Sequence, residues 1–163
     1  MRIVICDTGP LLHLSEANLL EILHLSGDII VPPSVVEEYQ QNRPQESLPD
    51  WVHVENLEKK YSLQAQEFTN AVDLGESEAI ALAQQVKADW LLSDDAKARQ
   101  LAESLGIEVH GSLGLVLWGM VEGHIKSRAA AAASLSSLSH SSLWMSERVF
   151  RKAHEAIDEI FSQ

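Results

Sequence analysis

Short continuous apolar runs alternate with longer stripes of helical spacing along the chain. Residues 3–6 (Ile-Val-Ile-Cys) form a β-branched run ending at Asp7, the pattern of a strand buried on both faces. Pro10 then opens a helical stripe carrying Leu11, Leu12, Leu14, Leu19, Leu20, Leu23 and Leu25, stopped by Gly27. Residues 29–31 predict a second strand, closed by Pro32 and Pro33. Ser34 and Glu37 have the spacing of a capping box and predict a helix start. Residues 40–50 read as a polar loop and residues 52–54 as a third strand. Helices are expected over residues 62–72 and from Gly75 onward, the second with Ala79, Ile80, Leu82, Ala83 and Val86 as its apolar positions. A fourth strand falls on residues 90–93, and Asp94 or Asp95 caps the helix that Gly106 ends. Residues 107–110 alternate as a half-exposed fifth strand, and a helix runs from Gly111-Ser112 to about Gly123.

Strands alternating with helices predict a three-layer α/β/α domain around a central parallel sheet of about five strands. One domain is expected over residues 1–163, with a core at about 1–125 and an extension at about 126–163. In that extension five consecutive alanines favour helix, and the serines after them favour a break. Ser146 caps a last helix over residues 147–161, with Val149, Ala153, Ile157 and Ile160 on one stripe.

The 163 residues suit one domain, and no apolar run spans a bilayer. The N-terminus lacks the pattern of a signal peptide, and the single Cys6 excludes an internal disulfide. A reduced cytoplasmic setting and a packed thiol are expected. The net charge of −12 changes the picture more. Proteins that grip phosphates over a broad surface are usually basic. Nucleic acid can then bind only through a metal or a local basic rim; otherwise the charge suits a basic protein partner. Arg43, Lys59 and Lys60 are the rim candidates, although a solvated loop explains them as well.

The acids are not scattered. Ligands of parallel α/β sheets bind beyond the carboxyl ends of the strands. Asp7 follows strand one, Asp94 and Asp95 follow strand four, Glu38 lies one turn into the helix after strand two, and Glu76 and Glu78 open the helix leading to strand four. Crowded carboxylates repel unless a cation sits among them. Oxygen donors suit Mg²⁺ or Mn²⁺, whereas the chain offers no Cys pair or HExxH for zinc. Each acid also has a structural explanation: Asp7, Asp94 and Asp95 as caps, Glu37 in the capping box, Glu38 as a solvated charge. Glu76 and Glu78 are both favoured by a helix N-terminus. The last two point in different directions, so one of them at most is a direct ligand. The seven histidines share no metal spacing, and His13 reads as an ordinary helix residue.

The segments IVICDTGPLLHL, VPPSVVEEY, LGESEAIALA and LLSDDAKAR followed by LGIEVHGSLG resemble the motifs of the PIN domain. They are most similar to a prokaryotic branch related to the toxin nucleases of toxin–antitoxin pairs. The likeness covers roughly residues 2–120, and the tail from 144 also resembles that branch. The resemblance implies a five-stranded parallel sheet and metal-dependent hydrolysis of single-stranded RNA. It places the family's acids on Asp7, Glu38, Glu78 or Glu76, and Asp95, with Asp94 as an extra acid. Glu at the third position, where the broader family has Asp, is a departure, as is Tyr39 for Leu. One or two Mg²⁺ or Mn²⁺ ions are expected on Asp7, Glu38, Glu78 and Asp95. Asp94 or Glu76 would position water, Thr8 and Ser93 would fix a carboxylate or a coordinated water, and Arg99 would meet the substrate phosphate or pair with Asp95. The resemblance also brings a basic antitoxin partner and a homodimer into view. Two other readings remain: a PIN-fold module that holds RNA or protein without cutting, and a haloacid-dehalogenase-like phosphatase. The phosphatase would need an acid two residues after Asp7, where Gly9 stands.

Overall fold

The computed structural model describes residues 1–162; Gln163 lies outside the described residues. In chain order the elements are β1 (Ile3–Cys6), α1 (Thr8–Glu16), α2 (Leu20–Ser26), β2 (Asp28–Val31), α3 (Pro33–Asn42), β3 (Val52–Val54), α4 (Lys59–Phe68) and α5 (Leu74–Gln85). They continue with β4 (Trp90–Leu92), α6 (Ala96–Ser104), β5 (Val109–His110), α7 (Ser112–Val121), α8 (Arg128–Ser139) and α9 (Glu147–Ile160). The strands form one parallel five-stranded sheet in the order β3-β2-β1-β4-β5. No helix among the described residues is long and apolar enough to cross a membrane.

Alternation along β1 explains the layering. Val4 and Cys6 enter the larger core, with Leu11, Leu14, Leu23, Val35, Leu115, Val116 and Leu135. Ile5, between them in sequence, enters the opposite core with Ile80, Leu82, Leu91, Ala98 and Ala102. A β1 apolar at every position is therefore one strand buried on both faces. Because the chain leaves β1 toward β2 on one side and later returns to β4 on the other, a switch point opens between β1 and β4. The backbone N–H of Asp7 donates to the Leu92 carbonyl across that point at 3.0 Å, so the loops that follow β1 and β4 leave the sheet side by side.

Several elements depart from expectation for identifiable reasons. The stripe that opens near Pro10 is two helices. The first starts at Thr8, with Asp7 as N-cap, and the break carries Asn18 in the left-handed region at φ 58°. The Ser34–Glu37 capping box does not form. Pro32 is the N-cap and Pro33 the first helical residue, a position proline favours, and the Ser34 hydroxyl is buried without a partner. α4 starts and ends earlier than residues 62–72. The serines after the alanine run do not break α8, which continues to Ser139 because Ala131, Leu135 and Leu138 are buried in the larger core.

Ala153 and Ile157 of α9 are buried in the same cluster, against the same core that β1 and α1 build. Residues 128–160 are thus packed into the body of the domain. Leu135→Ala should lower unfolding free energy by about 2–5 kcal/mol, the usual cost of emptying a buried leucine site, in urea titrations of the whole chain. A loss below about 1 kcal/mol would show that α8 contributes little to the core.

Candidate functional site

The loops leaving β1 and β4 meet α3 and α5 around a cavity of about 440 Å³. Its lining includes Asp7, Glu38, Asp73, Glu76, Asp94 and Asp95, and no Lys or Arg among the described residues. Each acid is held by the start or first turns of an element. Asp7 follows β1 directly and caps α1, its Oδ1 accepting the Thr8 N–H at 2.8 Å. The Thr8 hydroxyl donates to Glu38 Oε2 at 2.9 Å, tying α1 to α3. Asp73 and Glu76 form a reciprocal capping box at the start of α5: Glu76 N–H donates to Asp73 Oδ1 at 2.9 Å, and Asp73 N–H to Glu76 Oε1 at 3.1 Å. Asp95 caps α6 through Oδ2, which accepts the Ala98 N–H at 2.9 Å. Gly75 leaves room for Glu38, since a Cβ there would overlap the Glu38 carboxylate.

Asp94 points elsewhere. Its Oδ1 accepts the Ser112 N–H at 2.7 Å, and its Oδ2 meets His13 Nδ1 at 2.6 Å and the Ser112 hydroxyl at 2.5 Å. It locks α1, the β4 loop and the start of α7 together. Burial pushes its carboxyl up, but the hydrogen bonds from His13 and Ser112 outweigh burial and hold it below the ordinary carboxylate range.

Asp7, Glu76 and Glu38 lack such compensation. Burial pushes Asp7 up to about 8, against the Thr8 N–H that favours the charge; the charges of Glu76, Asp73 and Glu38 add to the rise. Burial likewise raises Glu76 to about 7, opposed by the Asp73 backbone and reinforced by the charges of Asp73 and Asp95. Glu38 is raised by burial, against hydrogen bonds from Thr8 and the Gly75 backbone.

The structure brings Asp7, Thr8, Glu38, Glu76, Asp94 and Asp95 to one cavity. Glu78 does not line it, although its charge reaches Glu38. Ser93 is buried, and its hydroxyl accepts the Asp95 N–H at 3.3 Å rather than meeting a carboxylate. Arg99 lines a neighbouring cavity and makes no ion pair with Asp95 among the described residues. Of the rim candidates, Arg43 pairs with Glu46, its Nε donating to Oε2 at 2.8 Å, and Lys59 and Lys60 are exposed away from the cavity. Asp73, His13 and Ser112 are the participants that sequence reasoning passed over. Asp73 had a signal: Asp three residues before Glu is a capping-box spacing. The partnership of His13, Asp94 and Ser112 joins three distant segments and leaves no local signal.

The donor chemistry fits a hard divalent cation: carboxylates from four segments and, among the described residues, no basic side chain but His13, which Asp94 engages. Asp7, Asp73, Glu76 and Asp95 each spend one oxygen on a backbone N–H and keep the second outside these bonds. Among the described residues no three such side chains already converge on a common point, so ion binding requires them to draw together.

A family model described as PIN domain matches residues 3–159. A search of curated proteins finds no match. The family match spans nearly the whole chain, α8 and α9 included, and PIN domains typically bind metal and are commonly nucleases. The parallel sheet in the order 3-2-1-4-5, the acids gathered at its β1–β4 switch point and that match agree: the chain belongs to the PIN-domain family.

Proposed function

We propose that this protein is a Mg²⁺- or Mn²⁺-dependent nuclease that hydrolyses phosphodiester bonds of single-stranded RNA. The observation that carries the reading is the cavity at the β1–β4 switch point, lined among the described residues by six carboxylates and by no Lys or Arg. Asp7, Glu38, Glu76 and Asp95 are the residues to hold the cation, with Asp73 beside Glu76. A divalent cation there supplies Lewis-acid activation of water and neutralises charge on the scissile phosphate. The chain does the positioning. Thr8 fixes the Glu38 carboxylate, the Asp73–Glu76 box fixes the start of α5, and the His13–Asp94–Ser112 network holds the β4 loop against α1 and α7. Glu78 does not line the cavity, and its charge reaches Glu38. No covalent enzyme intermediate is required. The phosphatase alternative lacks its second acid at Gly9. A net charge of −12 suits a basic protein partner, the chemistry of an antitoxin.

The raised carboxyls give a pH signature. For Asp7 and Glu76 the folded value lies above the unfolded one, so the folded metal-free protein binds more protons between about pH 4 and 8. Their stabilising contribution is complete below pH 4 and is lost as pH rises toward 8. The metal-free Tm should therefore fall over that window, and Mn²⁺ should restore it most at the alkaline end, where the ligands are ionised. A Tm blind to Mn²⁺ at pH 8 would contradict a metal role.

Glu37 is exposed, whereas Glu38 reaches into the cavity and meets Thr8. Glu38→Gln should reduce cleavage by at least about tenfold, the loss expected when a ligand or its support goes; Glu37→Gln should leave it nearly intact. Equal losses in the two variants would remove Glu38 from the site.

The reaction itself is tested at low salt, because an acidic chain binds RNA weakly and with steep salt dependence. Single-stranded RNA should be cut in Mg²⁺ or Mn²⁺ and spared in EDTA. Asp7→Asn should stop cleavage while the protein stays folded, since Asn also caps helices but is a poor ligand for a hard cation. A small phosphate monoester should not be hydrolysed. RNA retained but uncut with every metal would establish a binding module instead.

A further inference from the structure

A second cavity, of about 370 Å³, adjoins the acid cavity and shares Asp94, Leu143 and Trp144 with it. Its lining is of a different kind. Val109, Leu113, Leu117, Met145 and Val149 give it an apolar floor, and Arg99 brings the one Lys or Arg found among the described residues of either cavity. That guanidinium has no carboxylate within ion-pair distance among the described residues, although the chain is acidic. It packs beside Gly111, where a Cβ would lie 3.3 Å from its Nη1.

Trp144 stands on the border between the two cavities and is 84% exposed. A free indole on a mobile tail would mean little, but this one is anchored on both sides. Leu143 and Met145 pack against the larger core, and Ser142 is bound to Glu16 of α1 through both its N–H, at 3.1 Å, and its hydroxyl, at 2.6 Å. The loop between α8 and α9 thus holds a large aromatic face in water beside the acids, and neither its packing nor the core needs that face there. An exposed aromatic and an Arg with no ion pair among the described residues, lining one cavity, are the combination that binds a single strand, the base stacking on the ring and the phosphate meeting the cation.

We propose that the second cavity is a nucleotide subsite, in which one unpaired base of the bound RNA strand stacks on Trp144 and its phosphate meets Arg99. The inference takes its strand from the nuclease reading, yet it concerns binding and is tested without cleavage. The subsite tolerates any base, since every base offers a π-face. It also answers the charge problem: a chain of net charge −12 holds an anionic strand by stacking and one local cation rather than by a basic surface.

The test is titration of the whole protein with a short oligouridylate at low salt in Ca²⁺, read by tryptophan fluorescence and by anisotropy of an end-labelled strand. The parent should be quenched on binding. Trp144→Ala, at an exposed position that leaves folding intact, should lose the quench and bind about tenfold more weakly, within the range of one stacked base. Trp144→Phe should recover most of the affinity, and Arg99→Gln should weaken binding and flatten its salt dependence. Equal affinity of parent and Trp144→Ala, or a quench that survives in Trp144→Ala, would overturn the proposal and leave the indole to a protein contact. Cleavage without any effect of Trp144 on binding would keep the nuclease reading and remove the subsite. A Trp144-dependent quench in a protein that cuts nothing would keep the subsite and remove the nuclease reading.

Discussion

Carboxylates crowd where β1 and β4 end, with no Lys or Arg among the described residues that line their cavity, and the surrounding elements are organised around that crowding. A carboxylate buried as deeply as Asp7 is unfavourable in its ionised form unless something favours the charge. The fold concedes one backbone N–H, from Thr8, and surrounds the group with further acids. Stability alone would not select this arrangement, because a neutral cap such as Asn or Ser would satisfy the same N–H without the repulsion. The cost is local, and it is carried by a sheet whose two cores bury residues from both faces of β1.

Around that constraint the acids divide by what holds them. Asp94 is saturated by His13 and Ser112 and works as a brace between α1, the β4 loop and α7. Asp7, Glu38, Asp73, Glu76 and Asp95 are oriented by caps and single hydrogen bonds, leaving most of them an oxygen for something else. Two carboxylates adjacent in sequence, Asp94 and Asp95, thereby take opposite parts, one buried among donors and one at a helix start facing the cavity. Carboxyls shifted by burial and by neighbouring charges in a cleft make a candidate functional site.

Much of this was legible in the sequence because it is local. The run at residues 3–6 followed by Asp7, and Ser146 before the stripe of α9, each carry their element and its boundary within a few residues. The readings that changed depended on distant partners or on competition. Ser34 and Glu37 have capping-box spacing, but the Pro32–Pro33 pair starts the helix first and places Ser34 inside it. The serines of α8 should break a helix by propensity, and burial of Leu135 and Leu138 overrides them. That Glu76 faces the cavity while Glu78 does not follows from helix phase, which depends on where α5 starts, and Asp73 sets that start. Trp144 carries no signal at all in sequence, because its place beside the acids is made by α8 and α9 folding back onto the core.

A crystal of the protein soaked in Mn²⁺ at about pH 8, with anomalous diffraction measured, shows whether these carboxylates hold a cation. At that pH Glu76, raised to about 7, is largely ionised, and Asp7, raised to about 8, is about half ionised. An anomalous peak should appear inside the acid cavity, within coordination distance of Asp7 and of at least one of Glu38, Glu76 and Asp95. An empty cavity in a well-ordered, Mn²⁺-soaked crystal, or Mn²⁺ bound only to surface acids away from the β1–β4 switch point, would contradict it.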